Sequence, residues 1–511
     1  MGLGRTRSVT LVGLGGATVD IEADIVQGLP AFVIGGLPDA ACRQSGDRIK
    51  AAGGNSGLEI PNRRITVNLS PASLPKMGSH FDLGIAIAVL VAAEKVSGRV
   101  VDEIVHLGEL GLDGSVRSVA GVLPLVLAAR RAGYEKVVVP VGNMREAALV
   151  SGIEVIGASS LAQIVGRHEA VEKGAEIEDE SPPTEVVTLP PRHRDLGEVV
   201  GQPEARLALE VAAAGGHHLI LIGPPGAGKT MLAECLPGLL PELGDDDALE
   251  VSAVHSVLGL LAGGQLIRRP PFVAPHHHAS PAAVIGGGSG VVRPGLISQA
   301  HAGVLFLDES PEFSAAVLQS LRQPLESGEV TVARQRSAAR FPARFQLVLA
   351  ANPCPCGKAH GKGLDCSCSP RARRDYLGKL VGPLLDRVDL QIRVAAVTRP
   401  GLAEGGGEPT AVVAERVARA RDAQRTRLAA VGRHLNAHVP GPVLRGPGLR
   451  LPTHVTGDLD RALDRGMLTL RGYDRVLRIA WTLADLHGAE EPGRDDVGIA
   501  LGLRTQAGLA A

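Results

Sequence analysis

The chain has 511 residues, enough for roughly two to four domains. With 53 Lys and Arg against 54 Asp and Glu, and only 2% aromatic residues, neither overall charge nor aromatic stacking can be the main basis of nucleic-acid binding. The sequence contains no apolar run of about eighteen residues and no apolar leader after Met1, so we expect a cytoplasmic protein without a membrane partner.

The first 168 residues carry alternating strand and helix patterns, which predict one α/β domain. Strands are predicted at 8–12, 18–23, 31–34, 65–69 and 136–139, and helices at 39–52, 81–94 and 123–132. The next segment, 169–195, is acidic and contains prolines, so we interpret it as a linker. Cys42 and Cys235 are isolated in the sequence and are predicted to be buried, unreactive thiols.

A phosphate-binding loop is the clearest chemical motif. The apolar segment Leu219–Ile222 predicts a strand, 223–230 follows the pattern GxxxxGKT, and 231–240 predicts a helix. Glycines let backbone N–H groups wrap phosphates, and the helix N-terminus adds positive potential. Lys229 is expected on the β- and γ-phosphates and Thr230 on Mg²⁺. The residues expected to bind ATP are Gly223, Pro224, Pro225, Gly226, Ala227, Gly228, Lys229 and Thr230.

A second apolar strand is predicted directly before Asp308 and Glu309. Asp308 suits the Mg²⁺ shell and Glu309 suits orientation of the attacking water, a pair that indicates a hydrolysing enzyme rather than a nucleotide-binding switch. Upstream of this strand, His276, His277 and His278 are consecutive. Because adjacent side chains point in different directions, we interpret the three histidines as structural or hydrogen-bonding groups rather than a metal site.

Two segments concentrate positive charge in an otherwise neutral chain. The first, at 331–344, precedes a strand predicted at 345–351 and contains Arg334, Arg336, Arg340 and Arg344. The second contains Lys358, Lys362, Arg371, Arg373 and Arg374. Such groups would contact a nucleic-acid backbone without reading its sequence. The alternative is that both segments are basic only because they face solvent.

Four of the six cysteines are clustered as two C-x-C pairs, formed by Cys354, Cys356, Cys366 and Cys368. In a reducing compartment this pattern favours a metal over disulfides. Four thiolates suit tetrahedral Zn²⁺, and because the protein would fill all four positions, the metal would be structural rather than catalytic. The alternative is a set of reduced or redox-active thiols.

The last part of the chain, 401–511, is predicted to be a helical lid. A Gly-rich loop at 401–409 precedes amphipathic helix patterns at 411–428 and 458–487. The segment 196–400, between linker and lid, is then an ATPase core with the cysteine insert at 354–368.

Long motifs at 269–280, 286–288, 293–303, 321–328, 351–357 and 382–390, with both phosphate-site motifs, resemble the YifB/ComM group of Mg-chelatase-like AAA+ ATPases. The resemblance covers nearly the whole chain. It implies an αβα sandwich with a C-terminal helical lid, assembled into rings that are usually hexamers, and ATP-driven helicase and branch-migration activity on DNA. The alternative is a protein-remodelling motor like the Mg-chelatase I subunit. The N-terminal domain and the cysteine insert fit the YifB/ComM group better than this alternative.

The resemblance also implies roles for single residues. Asn352 corresponds to sensor 1, which positions the attacking water together with the catalytic glutamate. Arg387 corresponds to an arginine finger that reaches the ATP of a neighbouring subunit; the alternative is a surface salt bridge with a nearby aspartate. Arg478 corresponds to sensor 2. Two positions depart from the family pattern, since Trp481 replaces a common second arginine and Leu296 replaces a usual glutamate.

The N-terminal domain resembles the Lon-protease domain through 67–82 and 121–133. The positions of the protease nucleophile and base hold Asp82 and Leu123, which lack the Ser–Lys chemistry. We therefore expect no peptidase activity and interpret the domain as a platform for DNA or for ring assembly. Ser79 and Lys76 lie close by in the sequence and are interpreted as a loop serine and a solvated lysine.

Overall fold

The structure is a computed structural model that describes residues 2–177, 179–184, 194–261, 263–288, 292–334, 337–359, 364–380, 384–396 and 406–505. It confirms the predicted α/β class, with a mixed sheet in the N-terminal part, a parallel sheet in the centre and helices towards the C-terminus. Within these ranges, no helix combines the length and apolar character that crossing a membrane requires.

The N-terminal part contains a seven-stranded mixed sheet. The strands of this part are β1 (Gly4–Val12), β2 (Gly15–Val26), β3 (Ala31–Gly35), β4 (Arg64–Ser70), β5 (Ile104–His106), β6 (Glu109–Leu110), β7 (Val116–Arg117), β8 (Lys136–Pro140) and β9 (Glu154–Ala158). Its helices are α1 (Ala40–Arg43), α2 (Ser45–Asn55), α3 (Asp82–Ala92), α4 (Gly98–Val101), α5 (Val122–Arg131), α6 (Met144–Ala147) and α7 (Leu161–Lys173). The sheet order is β3-β4-β2-β1-β5-β8-β9, while β6 pairs with β7. Helix α3 is buried along nearly its whole length and contacts β1 and β2, which explains its almost uniformly apolar sequence.

The helix predicted at 39–52 is two helices, α1 and α2. Asp39 caps α1 by accepting a hydrogen bond from the N–H of Cys42 at 2.8 Å. The chain then turns at Gln44, and α2 begins at Ser45. The Asp39 cap thus fixes where α1 begins, whereas the break at Gln44 has no side-chain cap.

The central part contains a five-stranded parallel sheet in the order β11-β14-β17-β10-β18. The strands of this part are β10 (Leu219–Ile222), β11 (Phe272–Val273), β12 (Gly286–Gly287), β13 (Arg293–Pro294), β14 (Val304–Leu307), β15 (Glu329–Arg334), β16 (Ser337–Pro342), β17 (Gln346–Ala351) and β18 (Leu390–Arg393). Its helices are α8 (Pro203–Gly215), α9 (Lys229–Leu239), α10 (Asp245–Val257), α11 (Pro281–Ile285), α12 (Leu296–Gln299), α13 (Ala315–Ser320), α14 (Arg322–Ser327) and α15 (Pro370–Gly378). Strands β10, β14 and β17 are buried at every residue, as expected of parallel strands covered on both faces.

The register of the parallel sheet brings three strand ends together. Ile222 pairs with Ala351, and Leu307 pairs with Leu349, so β10, β14 and β17 end at one edge. Loops that leave the carboxyl ends of parallel strands form the usual ligand crevice of such sheets. Both predicted phosphate-site motifs follow strands at this edge.

The C-terminal helices cover one side of the parallel sheet. They are α16 (Thr410–Leu428), α17 (Gly441–Leu444), α18 (Thr453–Asp464), α19 (Leu470–His487) and α20 (Arg494–Thr505). Val417 on α16 and Ala480 on α19 lie in the same apolar cluster as Leu232 on α9. Arg416 reinforces the contact by pairing with Glu210 on α8 at 2.7 Å. The helices therefore pack directly on the elements that flank the phosphate loop.

The helix predicted at 458–487 is also divided into two helices, α18 and α19. Helix α18 ends before Gly466, which has a φ of 69°, in the left-handed region that favours glycine. Thr469 then caps α19 by accepting a hydrogen bond from the Gly472 N–H at 3.1 Å. A glycine stop and a threonine start within four residues account for the break.

The N-terminal part contacts the central part through α5 and α10. The N–H of Gly121 donates to the carbonyl of Ser256 at 3.0 Å, and the Ser256 hydroxyl bonds to Glu146. Helix α7 continues to Lys173, into the segment predicted as a linker, and Pro183 accepts a hydrogen bond from Arg145 at 2.9 Å. The described residues of that segment up to 184 thus lie along the N-terminal part, whereas Arg194 pairs with Glu234 of the central part at 2.9 Å. Residues 178 and 185–193 fall outside the described residues.

Candidate active site

The phosphate loop leaves the carboxyl end of β10. Helix α9 begins at Lys229, two residues earlier than predicted. Gly226 and Gly228 have φ values of 77° and 86°, and a Cβ at either position would meet open space. The glycines are therefore required for backbone conformation rather than for packing, and the loop leaves an open cradle that fits a polyphosphate.

Lys229 lies inside this cradle. Its ammonium donates to the carbonyls of Gly223 at 2.8 Å and Pro224 at 3.0 Å, and to the side-chain oxygen of Asn352 at 3.1 Å. Burial lowers the pKa of Lys229, and the charges of Asp308 and Glu309 act in the opposite direction. The structure thus brings together the lysine of the loop and the predicted sensor 1 residue at the end of β17.

Thr230 and Asp308 form the second contact of the site. The Thr230 hydroxyl donates to Oδ2 of Asp308 at 2.9 Å, and the N–H of Glu309 donates to Oδ1 of Asp308 at 2.8 Å. A hydroxyl and a carboxylate are hard oxygen ligands of the kind that Mg²⁺ prefers. Their separation fits one Mg²⁺ held by both residues.

Glu309 has an unusual backbone conformation. Its φ of 48° lies in the left-handed region, which is uncommon for a residue with a side chain and is found at functional sites. Its carboxylate is about half exposed, at 53%, and Oε2 lies 3.5 Å from Nδ1 of His277. Sequence reasoning missed this partner, although the pairing of β11 with β14 would have indicated it.

Tyr376 is another residue of the site that the sequence analysis missed. It is the buried residue of α15. Burial raises the pKa of Tyr376 to about 12, and the charges of Glu312 and Glu309 add to the increase. The tyrosine is therefore neutral and lies close to the acidic end of the site.

The three consecutive histidines are closer together than predicted. The ring centres of His276 and His277 are 4.2 Å apart, and those of His277 and His278 are 4.3 Å apart. One nitrogen from each ring lies within 4.8 Å of the others. The argument that adjacent side chains must point apart is wrong here, because they lie on a turn rather than on a strand.

Arg387 lies at the opposite end of the sheet from the phosphate loop. Leu219 pairs in parallel with Leu390, so the turn that contains Arg387 precedes β18 at the amino end of the strands. The side chain forms an ion pair with Glu326. The structure does not bring Arg387 to the phosphate loop of its own chain.

Arg478 also lies away from the phosphate loop of its own chain. Its Nε donates to the carbonyl of Val439 at 2.9 Å. Burial lowers the pKa of Arg478, and the charge of Asp389, at the amino end of β18, acts in the opposite direction. Arg475, one turn earlier on α19, pairs with Asp389 and donates to the carbonyl of Arg387 at 3.2 Å. Helix α19 therefore supports the turn that presents Arg387.

A buried network missed by the sequence analysis fixes this end of the sheet. His217 contacts Asp389 at 2.9 Å through Nδ1 and Thr482 at 2.8 Å through Nε2. Burial alone would raise the pKa of Asp389, but Arg475 and His217 hold it well below its usual range. The lid and the parallel sheet are joined by a paired charge rather than by apolar contacts alone.

The four clustered cysteines converge. The sulfur atoms of Cys354, Cys356 and Cys366 are 3.4, 3.5 and 3.6 Å apart, and that of Cys368 lies within 4.8 Å of the others. Tetrahedral Zn²⁺ with bonds of about 2.3 Å requires sulfur atoms about 3.8 Å apart, so the set fits zinc. Next to it, a Cβ on Gly357 would lie 2.6 Å from the ring of Pro225, which brings the cluster against the phosphate loop.

The remaining cysteines behave as predicted. Cys42 and Cys235 are both buried and unpaired. Burial raises the pKa of each thiol to about 12. Neither is a reactive thiolate near neutral pH.

The first basic segment lies on a hairpin, in which β15 and β16 pair from Glu329↔Pro342 to Arg334↔Ser337. Arg340 is exposed and alternates with the buried Ala339 and Phe341. Arg344 differs from the prediction, since Asp247 and Glu250 each lie 2.8 Å from its guanidinium and neutralise its charge. Arg336 and the Arg334 side chain lie outside the description.

The second basic segment is only partly described. Lys358, Arg371 and Arg374 are exposed, and Arg373 is half-buried. Arg371 lies 3.6 Å from Asp375, one helical turn away. Lys362 falls outside the described residues. The described part presents positive charge beside the cysteine cluster.

Asp82, which the resemblance aligns with a protease nucleophile, forms a buried ion pair with Arg48. Asp82 accepts hydrogen bonds from Arg48 at 2.6 and 2.8 Å and from the Ser45 hydroxyl at 2.5 Å. Leu123 is fully buried on α5. Lys76 is also fully buried and bonds to the Pro71 carbonyl, so its interpretation as a solvated lysine is wrong.

Comparison with known families gives three matches along the chain. The family described as magnesium chelatase, subunit ChlI, matches residues 195–402. The family described as subunit ChlI of Mg-chelatase matches 21–143, and the one described as magnesium chelatase, subunit ChlI C-terminal, matches 407–504. The matched segments include the phosphate loop, the hairpin and the lid.

Similar proteins extend over the whole length. An uncharacterized protein of Mycobacterium tuberculosis is 52% identical over 99% of this chain and 99% of its own. The competence protein ComM of Haemophilus influenzae is 39% identical over 100% of this chain and 99% of its own. The uncharacterized protein YifB of Escherichia coli is 39% identical over 95% of this chain and 94% of its own. The resemblance carried by the motifs is confirmed: the chain belongs to the YifB/ComM family of Mg-chelatase-like AAA+ proteins.

Proposed function

We propose that the protein is a Mg²⁺-dependent, ring-forming ATPase that translocates on or remodels DNA. The observation that carries the ATPase assignment is the pair of contacts at the loop, Thr230 with Asp308 at 2.9 Å and Lys229 with Asn352 at 3.1 Å. They join the loop to the residues that follow β14 and β17 at the same edge of the sheet, an arrangement that supports phosphoryl transfer.

The residues of the site would have separate roles in nucleotide binding and hydrolysis. Backbone N–H groups from Gly226 to Thr230 wrap the phosphates, and Lys229 neutralises their charge. Thr230 and Asp308 would hold Mg²⁺, which spreads the charge that develops on the transferred phosphoryl group. Glu309 orients the attacking water and accepts its proton, and Asn352 holds the water in line.

The position of Arg387 supports the proposed ring assembly. It lies at the amino end of the sheet, while the phosphate loop leaves the carboxyl end. In a homo-oligomeric ring, with a hexamer as the expected form, Arg387 would meet the ATP of the next subunit and stabilise its transition state. Arg478 stands on the helix that supports Arg387, so a sensor 2 role would also be exerted on the neighbouring site.

DNA is the proposed substrate of the motor. Arg340 projects from the hairpin, and Lys358, Arg371 and Arg374 are exposed beside the cysteine cluster. Such charges hold a phosphate backbone in a sequence-independent way. The cluster is proposed to hold one structural Zn²⁺ that fixes the basic segment next to the phosphate loop. Helicase or branch-migration activity is the form that the family resemblance favours.

The division into parts is proposed as 1–168, 169–195, 196–400 and 401–511. In this scheme the N-terminal part is a platform for DNA or ring assembly without peptidase activity. The buried pair of Asp82 with Arg48 supports this assignment, because a carboxylate that accepts four hydrogen bonds at the nucleophile position is not a free nucleophile.

A protein-remodelling motor is the second candidate, because the matching families are described as chelatase subunits. The experiment that separates the two measures ATP hydrolysis by the full chain with Mg²⁺, alone and with single-stranded, duplex or forked DNA. A DNA motor is expected to hydrolyse ATP several-fold faster with at least one DNA form. Hydrolysis that no DNA form changes, together with no DNA binding in the ATP state, would favour the protein-remodelling motor.

A further inference from the structure

Strand β11, which leads into the loop that carries His277, is held tightly against β14, the strand that precedes the acidic pair. The N–H of Val304 donates to the carbonyl of Pro271 at 2.8 Å, and a Cβ on Gly303 would lie 2.1 Å from that same oxygen. The rings of Phe272 and Phe306 stack with centres 5.8 Å apart. The close approach requires glycine at 303, and it fixes the start of β11, from which the loop leaves.

The register of these strands predicts which residues meet beyond their ends. Phe272 pairs with Val304 and Val273 with Leu305, in parallel. Four residues further along each chain, the same alignment places His277 opposite Glu309. The contact between Nδ1 of His277 and Oε2 of Glu309 at 3.5 Å joins the two segments that leave these paired strands at the same edge of the sheet.

The far end of the loop is fixed as well. Ser280 caps α11 by accepting a hydrogen bond from the Ala283 N–H at 3.2 Å. Val284 on that helix is fully buried in an apolar cluster that also contains Val332 and Phe341 of the hairpin. His277 is itself only 25% exposed. The imidazole thus stands on a loop anchored on both sides.

The Glu309 carboxylate has few other restraints. Its backbone holds a left-handed conformation, and its side chain is about half exposed. Asn352 is engaged with Lys229. The charge of Glu309 counters the lowering of the Lys229 pKa by burial, so the carboxylate that contacts His277 also lies near the phosphate loop. A catalytic base needs a third group that orients it, and His277 stands where such a group would be.

We propose that His277 is a positioning residue that holds the Glu309 carboxylate towards the attacking water, an inference that rests on the proposed ATPase function. The imidazole does not touch the nucleotide. It acts through Glu309, so its loss lowers the turnover rate and leaves nucleotide binding unchanged. Asn can replace it, because the amide nitrogen of Asn and Nδ1 of His are both two bonds from Cβ.

The test compares His277→Ala, His277→Asn and the control His278→Ala in the full chain, with kcat and KM for ATP measured in the presence of Mg²⁺ and DNA. We expect His277→Ala to lower kcat about tenfold with unchanged KM, since misplacement of a catalytic group is costly in rate. We expect His277→Asn to recover most of the loss and His278→Ala to resemble the wild type. A wild-type protein that binds ATP without hydrolysing it would overturn the proposed function itself.

Two results would overturn the positioning role alone. One is a His277→Ala protein that hydrolyses ATP at the wild-type rate, and the other is an equal loss in the Ala and Asn variants. A double-mutant cycle gives a further readout, because Glu309→Asp withdraws the carboxylate from His277. In that background His277→Ala is expected to cost no further activity, whereas fully additive losses would contradict the inference.

Discussion

The Lys229 ammonium donates a hydrogen bond to the side-chain oxygen of Asn352 across 3.1 Å. One residue begins the helix after β10, and the other follows the end of β17, so the bond links two adjacent strands at the floor of the nucleotide site. A phosphate that binds in the cradle would compete with Asn352 for the same ammonium. Nucleotide binding is then sensed directly at the neighbouring strand.

Substitutions in the phosphate loop and in the acidic pair should impair different steps, nucleotide binding in the first case and hydrolysis in the second. Lys229→Ala is expected to abolish binding of a fluorescent ATP analogue, because it removes the charge partner of the phosphates. Glu309→Gln is expected to bind the analogue normally and to lose about a hundredfold or more in kcat, because an amide cannot accept the proton of water. Near-normal turnover by Glu309→Gln would remove Glu309 from its assigned role.

Arg387 should act on a neighbouring subunit. Arg387→Ala and Lys229→Ala proteins are each expected to be inactive, whereas their mixture should recover part of the activity. Recovery arises because some composite sites pair an intact loop with an intact arginine. The measurement is ATP hydrolysis across mixing ratios, with mixed assembly confirmed by differently tagged subunits. Mixed rings without any activity would show that Arg387 does not act in trans.

The cysteine cluster should carry one zinc per chain. Elemental analysis of reduced protein purified without added metal is expected to give a ratio near one, and Cys354→Ser is expected to lower both the ratio and the thermal stability. Cys42→Ser is the matched control, because that thiol is buried far from the cluster in sequence and has no metal role. Folded, reduced protein without zinc would contradict the assignment.

DNA binding should depend on backbone charge. The Arg340→Ala variant is expected to flatten the dependence of log K on log salt by about one unit, because one phosphate contact releases about one counterion. The Arg336→Ala, Arg340→Ala double variant should flatten it by up to about two. Arg425→Ala, which removes an exposed charge of the lid, is the control and should leave the slope unchanged. Salt-insensitive binding would argue against the hairpin as the DNA contact.

Glu250 should make stability depend on pH. A hydrogen bond from His301, opposed by burial and aided by Arg344, lowers the pKa of Glu250 from 4.5 to about 2. A lowered carboxyl pKa stabilises the fold above pH 4.5, and this contribution is lost as pH falls towards about 2. The difference in urea midpoint between wild type and Glu250→Gln should therefore be largest near neutral pH and shrink in acid. A difference in urea midpoint that grows as the pH falls would contradict a lowered pKa of Glu250.

The sequence predicted the parts of the fold that depend on local pattern. The loop around Lys229 and the strand before Asp308 were identifiable because each combines an apolar strand with a fixed chemical motif. The split helices at Gln44 and Gly466 were not. At Gly466 a left-handed glycine and the Thr469 cap override periodicity, and at Gln44 a turn without a side-chain cap breaks an otherwise continuous pattern.

Contacts between distant segments could not be predicted from the sequence, for a different reason. His277 meets Glu309 only through the register of β11 with β14, and Arg344 is neutralised by residues about a hundred positions away. Pairings of this kind are set by tertiary packing rather than by local pattern. The roles implied for Arg387 and Arg478 stay predictions, since a single chain does not contain the neighbouring site.

The junction between α5 and α10 has a practical consequence for anyone who divides the chain. Glu146 bonds to the N–H of Leu123 on one side and to Ser256 on the other, and Leu249 and Ala253 pack into the apolar cluster of the N-terminal part. A fragment that begins at the ATPase core would expose this face of α10 to water. Such a fragment is expected to self-associate through the exposed face, so its apparent assembly state would misreport that of the intact protein.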